Sequence, residues 1–173
     1  MSTPGDIVLR TWREADVELL TALRNDRDLQ ALLLARVRGS DEAQVRQWLR
    51  DRTSGADSLF FIIAESPADR CIGYVQLAAI DWVDRVGDLG ICVAPGHQRR
   101  GAGTRALTLA VDALRRTWGI RKINLRVRSD NLRAIRCYER LGFAHCGLQR
   151  RHVNLDGAWL DVVLMELFVD ERA

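Results

Sequence analysis

Lysine is almost missing from this 173-residue chain: of its 26 basic residues, only Lys122 is not an arginine. Such an excess follows from a GC-rich coding sequence, so no single arginine counts by itself as a functional signal. Cysteine is sparse too. Cys71, Cys92, Cys137 and Cys146 form no C-x-x-C pair and no Cys/His ligand spacing, so the sequence offers no metal site and no redox dithiol. Three of them lie in apolar runs and read as reduced, buried thiols. Charge of one sign is lacking as well. The net charge is +3 with no block of like residues, which leaves a nucleic-acid partner without support. No stretch approaches the roughly 18 apolar residues of a membrane-spanning helix. The opening "MSTPGDIVL" has no basic-then-apolar leader pattern. The expectation is a cytoplasmic protein with no membrane partner.

What is present is ordinary globular material, 47% hydrophobic and 28% charged. A chain of this length can bury a core without disulfide or metal, and one domain over residues 1–173 is expected. "DIVLRTWR" (6–13) alternates as a strand, and Asp16 opens a helical pattern at Val17, Leu20 and Leu23. Residues 25–57 read as a second, irregular helical region with Val45, Trp48 and Leu49 on one face. "SLFFIIAE" (58–65) and "CIGYVQLAAI" (71–80) form a hairpin, and "VGDLGICVA" (86–94) is a third strand. Leu107, Val111, Leu114 and Trp118 keep helical spacing up to Gly119, and "RKINLRVR" (121–128) alternates again. A short helix capped by Ser129 to Asn131 stops at Gly142. Strands at 143–151 and 158–168, joined by "NLDG", close the chain. An antiparallel front half feeding one β-α-β crossover is an α/β fold with a mixed sheet.

The stretch "PGHQRRGAGTRAL" (95–107) joins a strand to a helix through Gly101 and Gly103. Unpaired amides at a helix start, with the positive end of its dipole, favour a phosphate. A plain turn before an amphipathic helix explains an isolated G-x-G equally well. "GAGTRA" also fits the dinucleotide fingerprint literally. Against that reading, the seven residues Ala94 to Arg100 separate Val93 from Gly101, and Arg126 and Arg128 stand where the next strand should end in an acid.

The longer pattern is more specific. "ICVAPGHQRRGAG" resembles the acetyl-CoA loop of the GNAT superfamily of N-acetyltransferases through Gln98, Gly101 and Gly103. "DNLRAIRCYERLGF" resembles that family's second segment through Asn131, Ala134, Tyr138, Gly142 and Phe143. The element order is similar from end to end. "LRND", "GYVQLAAID", "GDLGI" and "NLDGAWLDVVLMEL" resemble, more weakly, the branch with spermidine, ribosomal-protein N-terminal and amino-sugar acetyltransferases.

The resemblance implies a GNAT fold, with a mixed, mostly antiparallel central sheet, flanking helices and a β-α-β crossover that binds acetyl-CoA. It implies a transferase moving acetyl directly from acetyl-CoA, as co-substrate and without metal, to the primary amine of a small molecule. Residues Gln98, Arg99, Arg100, Gly101, Ala102, Gly103 and Thr104 would surround the pyrophosphate. Ile91, Cys92 and Val93 would pair with the pantetheine arm, and Asn131 and Ala134 would hold it. Tyr138 would protonate the leaving thiolate; a core aromatic is the alternative. Asp88 would take the amine's proton if partly buried in its strand; an outward carboxylate is the alternative. His97 reads as solvent-facing, His145 and His152 as weak candidates for the acceptor side, and Trp12, Trp82 and Trp159 as packing. Residues 29–40 carry Arg36 and Arg38 and no acid, which favours an anionic acceptor such as a nucleotide-linked amino sugar. A polyamine or a ribosomal-protein N-terminus is the alternative acceptor. A regulatory module that binds acyl-CoA without transfer is the alternative of another class. The family resemblance also allows a homodimer.

Overall fold

The computed structural model describes residues 6–37 and 39–170. In chain order the elements are β1 (Asp6–Arg10), α1 (Val17–Asn25), α2 (Arg27–Leu32), α3 (Glu42–Ser54), β2 (Leu59–Ser66), β3 (Arg70–Asp81) and β4 (Val86–Val93). There follow α4 (Ala102–Trp118), β5 (Lys122–Arg128), α5 (Leu132–Arg140), β6 (Ala144–Leu155) and β7 (Ala158–Phe168). The seven strands form one sheet in the order β1-β2-β3-β4-β5-β7-β6. Every neighbouring pair is antiparallel except β4 and β5, which α4 links as a parallel crossover. The expected α/β architecture is therefore the one observed.

Two expectations change in detail. The first strand ends at Arg10 rather than residue 13. The Asp16 carboxylate accepts the Arg13 N–H at 2.7 Å and the Arg10 guanidinium at 2.8 and 2.9 Å, drawing the chain off the sheet into a 3₁₀ turn. The helical region at 25–57 is two helices. Asp26 caps α2 by accepting the Leu29 N–H at 2.9 Å, and Asp41 and Gln44 form a reciprocal capping box on α3.

The sheet carries a separate apolar cluster on each face. α4 lays Ala106, Leu107, Ala110, Val111 and Leu114 against Ile63, Val75, Leu77, Leu89 and Ile123. On the other face α1 and α3 bring Val17, Leu20, Val45 and Leu49 onto Ile62, Tyr74 and Cys92, where Trp48, Phe60 and Tyr74 meet ring to ring at 5.2–5.4 Å. Trp82 and Trp159, expected as packing residues, are 43% and 54% exposed instead. Trp82 lies in the β3–β4 turn, where its Nε1 donates to the Ala56 carbonyl, and Trp159 lies beside the β6–β7 turn. Among the described residues, no helix is long and apolar enough to cross a membrane.

The alignment of β3 on β4 depends on Gly73, where a Cβ would lie 2.1 Å from the Cys92 carbonyl oxygen. Gly73→Ala should destabilise the fold by about 3 kcal/mol or more, read as a fall in the denaturation midpoint. An unchanged midpoint would mean that the two strands can separate at no cost.

Candidate active site

β4 and β5 pair only over Val86–Asp88 and Lys122–Asn124, and beyond that point they diverge. The Ala94 N–H donates to the Ile72 carbonyl at 2.8 Å, in register with the β3–β4 ladder. By antiparallel alternation, Leu89, Ile91 and Val93 turn their N–H and C=O groups away from β3 and into the gap, while Cys92 turns its own toward Tyr74. The gap is therefore edged by backbone donors and acceptors that an extended chain can satisfy.

A cavity of about 570 Å³ runs through this gap from one face of the sheet to the other. On the α4–α5 face it is lined by Val93, Gln98, Arg99, Gly101, Gly103, Thr104, Asn131 and Tyr138, among others. On the α1–α3 face it is lined by Leu29, Leu32, Leu33, Leu34, Arg52, Gln76, Asp88 and Arg126. The strand alternation explains this partition, because Gln76 shares its face with Tyr74, and Asp88 shares its face with Cys92.

The loop from β4 to α4 is built to leave amides free. After a 3₁₀ turn at Pro95–His97, Arg99 (φ 64°) and Gly101 (φ 80°) adopt left-handed backbone, a conformation that Gly101 enters without strain. The first intrahelical bond runs from the Arg105 N–H to the Gly101 carbonyl at 3.0 Å. The N–H groups of Ala102, Gly103 and Thr104 thus have no acceptor within the helix. No acidic residue occupies the first turn, so the positive end of this 17-residue helix is not neutralised from within. The Gln98 side chain fastens the loop. Its Nε2 donates to the Val93 carbonyl at 2.8 Å and its Oε1 accepts from Arg133 at 3.1 Å. His97 is not solvent-facing as expected: its Nδ1 lies 3.0 Å from Glu65 Oε1 in β2. The Arg70 guanidinium at 2.6 Å, helped by His97, holds that carboxyl below the usual range against the opposing effect of burial.

α5 closes the same face. Asn131 caps it by accepting the Ala134 N–H at 3.3 Å, which directs Asn131, Ala134 and Tyr138 along one side. Thr104 Oγ1 and Cys137 Sγ approach to 3.3 Å and join the first turn of α4 to the second half of α5. Tyr138 is half-buried, edge-on to Phe143 at 5.8 Å, and burial pushes its hydroxyl up to about 12. Burial also pushes the thiol of Cys92, another lining residue, up to about 12.

Of the residues expected at the site, Ile91, Cys92, Val93, Gln98, Arg99, Gly101, Gly103, Thr104, Asn131, Ala134, Tyr138 and Asp88 all line the cavity. Arg100 and Ala102 do not. Ala102, the first residue of α4, turns into the core at 6% exposure, and Arg100, in the loop before the helix, points out to solvent. Asp88 is exposed rather than partly buried, because it stands where β4 and β5 begin to part. His145 pairs with Glu139 at 2.8 Å on the surface, and His152 is exposed; neither lines the cavity. Arg36 is also away from the cavity, and Arg38 lies outside the described residues. The sequence reading missed Gln76, Arg52, Arg126, Arg133 and Arg140. Only Gln76 carried a signal, as the one polar residue in the run "CIGYVQLAAI". Among the described residues, no group of three His, Cys, Asp or Glu side chains is placed to hold a metal.

Known proteins share this fold. The model of the acetyltransferase (GNAT) family matches residues 20–143, well over half of the chain. A spermidine N(1)-acetyltransferase of Vibrio cholerae is 24% identical over 161 residues, covering 93% of this chain and 92% of the relative. One from Escherichia coli strain K12 is 31% identical over 96 residues, covering 56% of this chain and 52% of the relative. The crystal structure of spermidine N-acetyltransferase from Vibrio cholerae in complex with CoA and spermine superposes with a TM-score of 0.89 at 22% identity. It covers 95% of this chain and 96% of the other. The chain belongs to the GNAT acetyltransferase family and is an N-acetyltransferase with acetyl-CoA as its co-substrate.

Proposed function

We propose that the chain, acting as one domain over residues 1–173, transfers acetyl directly to the primary amine of a small molecule of the polyamine class. The observation that carries this reading is the likeness to the Vibrio cholerae spermidine enzyme. It runs over 93% of the chain and so spans the acceptor side as well as the coenzyme loop. The strip of Leu29, Leu32, Leu33 and Leu34 on the acceptor face suits the methylene spacers of such an amine, and Asp88 suits its charged nitrogen. Of the two arginines behind the amino-sugar expectation, Arg36 does not line the cavity and Arg38 lies outside the described residues. An amine on an anionic carrier stays as a second reading because Arg52 and Arg126 do line the acceptor face.

In this reading the amides of Ala102, Gly103 and Thr104 bind the pyrophosphate, with Arg99 at the rim. The backbone groups of Ile91 and the N–H of Val93, whose carbonyl is taken by Gln98, pair with the pantetheine arm as a neighbouring strand would, and an amide there polarises the thioester carbonyl. Gln98 positions the loop rather than touching phosphate, and Asn131 and Ala134 hold the arm from α5. Asp88 takes the ammonium proton, directly or through water, and frees the nitrogen lone pair. As the new C–N bond forms and the C–S bond breaks, the electron pair goes to sulfur, and the acylated nitrogen sheds its surplus proton to solvent, leaving the neutral amide. Tyr138 gives that sulfur its proton and is reprotonated from solvent.

Thiol release from acetyl-CoA, measured with spermidine, a nucleotide-linked amino sugar and a peptide N-terminus, tests the acceptor. Spermidine should give the highest kcat/KM. Faster turnover of the amino sugar would reverse the assignment, and coenzyme binding without turnover of any amine would make the chain a binding module.

A further inference from the structure

One polar atom in the cavity has no role in the scheme above. Gln76 lies in β3, opposite Gly90 of β4 in the sheet register, on the α1–α3 face of the gap. Its Oε1 is buried, and among the described residues no hydrogen-bond donor reaches it. A buried amide oxygen left unpaired is destabilising, and folded proteins rarely keep one without a use. Across the ladder stands Gly90, whose missing side chain supplies no donor to that oxygen; a Cβ there would only touch the Gln76 Nε2, at an ordinary 3.4 Å. The groups suited to the coenzyme, meanwhile, lie on the opposite face of the sheet.

We propose that Gln76 Oε1 is the hydrogen-bond acceptor for an N–H of the incoming amine, holding the nitrogen in the β4–β5 gap between Asp88 and Ile91. The inference rests on the acetyl-transfer reading and fits any primary aliphatic amine, whatever its carrier. A neutral primary amine has two N–H donors and one lone pair. Giving one N–H to Gln76 leaves the lone pair free to face the thioester carbon. An amine without an N–H would find no partner here.

The test uses the full chain with spermidine as the amine. Wild-type turnover comes first, because its absence would sink the acceptor reading before Gln76 is at issue. Gln76→Leu should raise the KM for the amine roughly 10–100-fold, the loss expected for a hydrogen bond to a charged or polarised donor. The KM for acetyl-CoA should stay within about twofold and the Tm should hold or rise, because an unpaired buried atom has been removed. Gln76→Glu, which keeps an acceptor oxygen in place, should keep the amine KM within roughly threefold of wild type. An unchanged amine KM in Gln76→Leu, an equal rise for both substrates, or a fall in Tm would overturn the proposal. The last result would give Gln76 a structural role instead.

Discussion

Tyr138→Phe should lower kcat by roughly 10²–10⁴-fold, the usual worth of a positioned general acid, while acetyl-CoA binds as before. The substitution removes only the hydroxyl. The ring contact with Phe143 at 5.8 Å is retained, and so is the helix face that carries Asn131. The proton balance decides whether the hydroxyl can act. Burial holds it near 12, so it is protonated at every pH at which the fold is ordinarily studied. A free thiol in water loses its proton at about 8.5, and a tyrosine at 12 would be a poor donor to such a thiolate. The cavity does not behave like water. Cys92, which lines its other face, is itself pushed up to about 12 by burial. Shielding from water on the Tyr138 face acts on a released thiolate in the same direction, raising its proton affinity above the value in water and so favouring transfer from the tyrosine. It follows that kcat should show no alkaline loss from tyrosine ionisation up to about pH 10. Unchanged turnover in the phenylalanine variant would take Tyr138 out of the mechanism.

The two halves of this site were not equally legible in the sequence. The coenzyme side is made of consecutive residues whose positions follow from local geometry: a strand end, a left-handed glycine, a helix start and a capped second helix. Gln98, Gly101, Gly103, Asn131 and Tyr138 could therefore be read from spacing and family likeness, and all five line the cavity. What the spacing does not show is facing: Ala102, the first residue of α4, turns into the core, and Arg100, in the irregular loop before it, points to solvent. The acceptor side is assembled from α2, α3, β3, β4 and β5, distant in sequence, and alternation alone does not reveal where two strands part. Asp88 lies on the expected strand but is more exposed than expected, since the separation of β4 from β5 opens it to solvent. His97 departs from expectation for a related reason: its partner Glu65 is 32 residues away, across the sheet.

Gly103→Asp should abolish coenzyme binding at ordinary concentrations while leaving the fold at least as stable. Gly103 is the second residue of α4, and a Cβ there would meet only Val93 Cγ2, at an ordinary 3.7 Å. Aspartate in a first helical turn is favourable to the helix, worth about 0.3–1 kcal/mol through the dipole. Replacing a mid-turn glycine adds to that gain. The first turn of α4 has no acid at all, so the sequence forgoes this stabilisation at the place where it is readily available. The amides of Ala102, Gly103 and Thr104 explain the omission if their partner is an external anion. A carboxylate fixed about 4 Å from a pyrophosphate oxygen costs roughly 4 kcal/mol per charge pair at an effective dielectric of 20, close to a thousandfold in Kd. Gly103→Ala isolates the charge, because it adds the same Cβ without the carboxylate and should weaken binding less than roughly tenfold. Calorimetric titration with CoA, run beside a thermal melt, reads both quantities. Loss of binding with an unchanged or higher Tm in the aspartate variant assigns the helix start to the phosphates. Retained binding would show that the anion sits elsewhere, and equal losses in the alanine and aspartate variants would make close backbone approach, rather than charge, the reason for glycine at position 103.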